Sequence, residues 1–192
     1  MTRSACTALL GALTLVAPLI ACSSPDPGLY TIAPVAGTPR NSGPKVVLLE
    51  RVDIARYLDR SQIVTSSENY RLDVKSNDWW GEPLGAMFTR VLRQELGQRL
   101  TQSTVLNESG AVTASPDATI ELDLQRLDQD SGGNLILQAQ ASVNFKGSRT
   151  PALRSFQLSV PSSAPGATGE VAAVSAAVGQ LADGLAAMLT AG

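Results

Sequence analysis

Between Ala118 and Phe145 the chain reads "ATIELDLQRLDQDSGGNLILQAQASVNF", and this stretch decides the fold. Ile120, Leu122 and Leu124 alternate with Glu121, Asp123 and Gln125. Leu135, Leu137, Ala139, Ala141, Val143 and Phe145 interleave with Asn134, Gln138, Gln140, Ser142 and Asn144. A period of two sends successive side chains to opposite faces, so each half is a half-buried strand. "QDSGG" turns the chain between them, which makes an antiparallel hairpin. "KGSRTP" gives a further turn, and Leu153 to Val160 follows as a third strand with Phe156, Leu158 and Val160 on one face. The three form an antiparallel meander with one face toward a core.

Upstream the period changes. In "NDWWGEPLGAMFTRVLRQELGQRL" (Asn77 to Leu100), Trp80, Leu84, Met87, Phe88, Val91, Leu92, Leu96 and Leu100 recur every three or four residues. That spacing predicts an amphipathic helix capped by Asn77 or Asp78, with Pro83 in its first turn and Arg90, Arg93, Gln94, Gln98 and Arg99 on the opposite face. Near the C-terminus Val171, Val174, Val178, Leu181, Leu185 and Met188 predict a second, Ala-rich helix. A cover for the sheet is its plainest role, and a subunit contact or coiled-coil-like seam is the alternative. Lys45 to Ala55 reads as a buried central strand, and Gln62 to Ser66 and Tyr70 to Lys75 as a hairpin about Ser67-Glu68-Asn69. Leu29 to Pro34 and Thr104 to Leu106 read as short strands. The expected fold is a single α+β domain: a mainly antiparallel sheet packed by a long amphipathic helix at about 79–101 and a C-terminal Ala-rich helix at about 168–190.

Composition removes several kinds of function. The chain has no histidine, which excludes Ser-His-Asp and Cys-His catalysis and histidine-based zinc sites. Its formal charge is −2 and it has no Lys/Arg block, so nucleic acid is not an expected partner. No phosphate-loop, dinucleotide, calcium or zinc spacing occurs, and no metal or catalytic residue is assigned. Glu121 and Asp123 form a carboxylate pair, but they lie on the polar face of a patterned strand, where solvation accounts for them. Of the two tryptophans, Trp80 belongs to the helix stripe and the core. Trp79 is the candidate for a partner surface.

The N-terminus carries the remaining chemistry. Arg3 precedes an apolar stretch from Ala5 to Ile20 that is short for a membrane-spanning helix and broken by Pro18, so it reads as a signal peptide, with a retained anchor as the weaker alternative. The stretch closes on Leu19-Ile20-Ala21-Cys22, which resembles the bacterial lipoprotein signal: an aliphatic residue, a tolerant position, a small residue and the cysteine that becomes the mature N-terminus. That resemblance implies cleavage before Cys22, a diacylglyceryl thioether on its sulfur and an acyl chain on its amino group. An ordinary cleavage leaving Cys22 as an odd thiol is the alternative. The expected organisation is a signal peptide over 1–21, a lipidated tether over 22–28 and a domain over 29–192. Ser23, rather than Asp, at the second mature position favours the outer membrane.

The order "YTIAP", "VVLLERVDIARYLDRSQIVTSSENYRLDV", "WWGEPLGAMFTRVLRQELGQRL" and "IELDLQRLD" resembles the PqiC/YmbA family of ABC-type transport auxiliary lipoproteins, with Val46 to Leu100 as its most specific part. The resemblance implies an outer-membrane lipoprotein facing the periplasm. Its implied partners are an inner-membrane transporter and a periplasm-spanning MCE-domain protein, in lipid transport or envelope integrity. It implies no catalysis and no cofactor beyond the covalent lipid on Cys22. Self-association is left open, and a structural or assembly lipoprotein of the envelope is the competing reading.

Overall fold

The computed structural model describes residues 26–108, 112, 114–147 and 150–191. The signal peptide and Cys22 lie outside the described residues. In chain order the elements are β1 (Gly28–Tyr30), β2 (Val46–Leu49), β3 (Asp53–Ile54), a 3-10 turn (Arg56–Leu58), β4 (Gln62–Ser66), β5 (Asp73–Trp80), α1 (Leu84–Arg99), β6 (Thr104–Asn107), β7 (Ala118–Gln129), β8 (Asn134–Phe145), β9 (Ala152–Pro161) and α2 (Gly166–Thr190). The larger sheet runs β6-β2-β7-β8-β9, with β3 also on β7; the smaller runs β1-β5-β4.

The meander forms as its alternation requires. Leu122 lies opposite Ala141 and Leu124 opposite Ala139, while Glu121 and Asp123 face Ser142 and Gln140 on the other side. β9 continues the apolar face, with Phe156 opposite Ala139 and Val160 opposite Leu135. The strand at Lys45 to Ala55 takes the expected interior place, although its pairings with β6 and β7 are parallel. It is also broken into β2 and β3, because the Val52 amide leaves the ladder and donates to Thr89 Oγ1 at 3.2 Å. Both helices cover one face of the large sheet, burying Phe88, Leu92 and Leu96 of α1 and Val178, Leu181 and Leu185 of α2 completely. α2 is long and apolar enough to cross a membrane, but two-thirds of its most apolar window is buried inside the domain. Gly184 lets it approach closely, since a Cβ there would meet the Phe156 ring.

Three expectations need correction. α1 starts at Leu84 with Pro83 as its N-cap, so Asn77 and Asp78 cap nothing and Trp80 is not on its stripe. Asn77 to Trp80 instead extend β5: Tyr30 pairs with Trp80, whose amide donates to the Ser61 carbonyl at 2.7 Å. Two waiting neighbours claim those backbone groups, and proline stops the helix from growing backward into them. Trp80 is buried all the same. Arg99, expected on the polar face, is 1 % exposed. β1 ends at Tyr30, and the predicted strand through Pro34 becomes a strap across the helices, where the Ala33 and Val35 amides donate to Ser175 Oγ (3.1 Å) and Glu95 Oε1 (2.7 Å). A strap with no strand beside it must have its buried amides satisfied by side chains, which explains polar groups on both helices at core positions.

Candidate partner and membrane surface

Among the described residues, two buried polar clusters hold elements together through hydrogen bonds, apart from the Glu170–Lys75 pair. Arg99 donates from Nε to Asp183 (2.6 Å) and from Nη2 to the Gly179 carbonyl (3.0 Å), and its Nη1 reaches the Val35 and Glu95 carbonyls at 3.2 Å. Glu95 beside it is wholly buried, and desolvation raises its carboxyl above the ordinary carboxylate range. The second cluster arises from a bulge in β7 between Leu124 and Arg126. The extra residue shifts the strand's parity, so Leu127 meets Leu137 in the core while Asp128 lies opposite Ile136 on the other face. There the end of β4 covers it. Asp128 accepts from the Tyr57 hydroxyl (2.8 Å), Ser67 Oγ (2.7 Å) and Arg126 Nε (2.7 Å), and Arg126 also pairs with Glu68 (3.2 Å). Burial, reinforced by the bond to Asp128, pushes the Tyr57 hydroxyl up to about 12.

The bonds from Tyr57 and Ser67 to Asp128, and the Arg126–Glu68 pair, tie the segments around β4 to β7. Simple alternation missed this cluster, because it puts Arg126 and Asp128 on the face of Ile120, Leu122 and Leu124, and only the bulge turns them to the opposite face.

Glu121 and Asp123 lie on the uncovered face of the large sheet with Glu50, Asp53 and Gln140 around a shallow depression. Desolvation and then the neighbouring carboxylates, Glu121 first, raise Glu50. Glu121 is bonded to Asn144 and Asp123 to Gln125, both side chains of a solvated face. Among the described residues no group of three or more His, Cys, Asp or Glu is arranged to hold a metal ion.

The small sheet is where the surface is unusual. Trp79 is half-buried, donates from Nε1 to the Ser76 carbonyl (3.3 Å) and lies beside Leu29, which is 68 % exposed. At the other end of β5, the Arg71 amide donates to the Glu68 carbonyl across Asn69 and Tyr70, which have φ of +56° and +62°. Two consecutive positive φ values make a primed hairpin turn, whose second central position normally holds glycine. Here it holds Tyr70, with its side chain wholly exposed. The "SSEN" preceding it signalled a turn, but nothing in the letters showed that a tyrosine would occupy the strained apex.

The domain is a two-layer α+β fold in which buried Arg99 and Asp128 join elements to one another. The model of the ABC-type transport auxiliary lipoprotein component family matches residues 30–186, and the chain belongs to that family. The family is one of transport auxiliary lipoproteins and not a known enzyme family; its name implies a membrane-anchored place in the envelope and association with an ABC-type transporter. No curated protein gives a significant match. Among solved structures, the crystal structure of an uncharacterized protein is similar at TM-score 0.72 and 16 % identity, covering 85 % of this chain and 99 % of its own. Protein XCC0632 from Xanthomonas campestris, assigned to the DUF330 family, is similar at TM-score 0.68 and 19 % identity, covering 84 % and 94 %. At these identities the likeness concerns the fold.

Proposed function

We propose that the chain is an outer-membrane lipoprotein, acylated at Cys22 and facing the periplasm, that docks the periplasm-spanning MCE-domain component of an ABC-type lipid transport or membrane-integrity system. The observation that carries this reading is the family match across the domain, beginning eight residues after the lipoprotein-like cysteine. Non-catalytic docking accords with the engaged state of Asp128 and Arg99. Trp79, with Leu29 beside it, supplies an aromatic-aliphatic patch of the kind that anchors protein contacts. The test is crosslinking in cells followed by purification of the tagged lipoprotein. An MCE-domain protein is expected among the captured chains, and its absence would sink the proposal. Capture of outer-membrane assembly components in its place would support the structural-lipoprotein reading.

A further inference from the structure

We infer that the β4–β5 turn is a membrane-contacting tip, with Tyr70 seated among the headgroups of the phospholipid surface to which the chain is tethered. The inference rests on acylation at Cys22 and concerns which end of the domain the lipid holds against the bilayer.

The direction of the tether is the first argument. β1 is parallel to β5, with Gly28 opposite Asp78. The chain upstream of Gly28 therefore points back along β5, toward its start at Asp73, and the Asn77 side-chain amide donates to the Asp26 carbonyl (3.3 Å) on that course. From Gly28 back to Cys22 is six residues, about 20 Å when extended at about 3.3 Å each, and from Asp78 back to Asp73 is five residues, about 17 Å. Six extended residues from Gly28, continued in that direction, are long enough to put Cys22 level with the β4–β5 turn, so a short tether of this kind favours that end of the domain.

What stands at that end is the second argument. Tyr70 is the apex of the turn, fully exposed, in a backbone conformation that a bulky side chain avoids. Strain of this kind persists where the surroundings hold it, and here they do: Ser67 is fixed by the buried Asp128, and Glu68 by Arg126. Val74 is exposed beside the turn, and the Arg71 guanidinium, 78 % exposed, is paired with Asp73 at 2.6 Å. An amphipathic ring with an apolar body and a hydroxyl tip suits the headgroup layer. The chemistry of the tip matches the surface that the tether brings to it.

The acylated mature chain offers a clean test. With Cys6 removed in the signal peptide and Cys22 acylated, Tyr70→Cys introduces the only free thiol. The lipidated protein carrying an environment-sensitive NBD label at position 70 is reconstituted into phosphatidylethanolamine/phosphatidylglycerol vesicles. Leu153→Cys is the control: it is 77 % exposed and pairs with Ser142, itself opposite Glu121, seven residues along β7 from Asp128. At position 70 the label's emission should shift to the blue and at least halve in intensity with doxyl-labelled phospholipid, while the label at 153 stays aqueous. An aqueous label at 70 on protein that floats with the vesicles overturns this inference and leaves the anchor standing. Protein that does not float overturns acylation at Cys22 and this inference together.

Discussion

Arg99 Nε lies 2.6 Å from Asp183 Oδ1, yet the guanidinium is 1 % exposed and the carboxylate 52 % exposed. The pair joins the end of α1 to α2 across the mouth of the core, and the two partners stand in very different solvent. Arg99 also closes over the strap: a Cβ on Gly37 would fall on its guanidinium. Removing either partner should therefore have unequal consequences. Arg99→Ala leaves the wholly buried Glu95 without a cation and strips the Val35 and Gly179 carbonyls of a donor, at a cost of about 3–5 kcal/mol. Asp183→Asn loses only a half-solvated partner, at a cost of about 0.5–1 kcal/mol. Urea unfolding of the two variants checks the ratio, and equal losses would contradict this account.

Gly37→Ala presses on the same joint from the other side. The added methyl group overlaps a guanidinium held by Asp183 and Gly179, so the strap must lift or Arg99 must give up a bond. Overpacking of this kind costs about 1–3 kcal/mol, and thermal unfolding should show it as a fall in Tm.

Tyr57 and Asp128 make a prediction at high pH. The folded hydroxyl titrates at about 12 against an ordinary 10.0, so the folded state holds this proton more tightly than the unfolded chain. Its contribution is fully present below pH 10 and is lost as pH rises from there through about 12. Denaturant midpoints should fall across that window, and Tyr57→Phe should flatten the fall. At pH 7 the same substitution costs about 1 kcal/mol for the hydrogen bond to Asp128.

The long periodic segments were legible in the sequence, and the departures from them have nameable causes. β8 matches its alternation to the residue, because the extra residue of the bulge lies on β7 and β8 pairs without interruption on both sides. The span from Asn77 to Trp80 was misread because helical spacing of apolar residues is indifferent to who claims the backbone, and β1 with Ser61 claims it. Arg99 and Glu95 fall on the buried side of α1 because an irregular strap crosses there, and a strap has no period to read. Asp128 was hidden by a one-residue bulge, which reverses every later side chain on its strand. Trp79 was legible only as the tryptophan left over from the core, and the exposed apex at Tyr70 had no signal beyond a turn.

Cys22→Ser removes the thiol that acylation requires. The domain should fold unchanged, because Cys22 precedes every strand and helix of the domain, while the protein moves from the membrane fraction to an unprocessed or soluble form. Flotation with outer-membrane vesicles and the mass of the N-terminal peptide check this. An unchanged membrane fraction would remove the lipoprotein reading.

Glu170 lies at the start of α2 with its side chain 2 % exposed, 3.4 Å from Lys75. Desolvation raises its carboxyl, and Lys75 only partly opposes this. A raised acid holds its proton more tightly when folded, so its contribution to stability is present at low pH and is lost as pH rises through the raised value. At neutral pH the ionised group is a burden. Glu170→Gln should therefore raise neutral-pH stability by up to about 1 kcal/mol and reduce the gain seen on acidifying toward 4.5; Glu95 retains a gain of the same sign. Denaturant midpoints from pH 7 to 5 measure both.

Tyr70→Gly separates what the turn costs the fold from what its apex does. A side chain in the left-handed region costs about 1–2 kcal/mol, and glycine removes that cost. The greater freedom of glycine in the unfolded chain takes back about 0.4–1 kcal/mol. No packing is lost, because the ring is fully exposed. The balance favours the variant, and Tm should rise by about 1–3 °C at this chain length. A fall in Tm would mean that the ring supports the fold. A rise shows instead that the native chain keeps a less stable turn with an aromatic ring at its apex, which local folding energetics do not require.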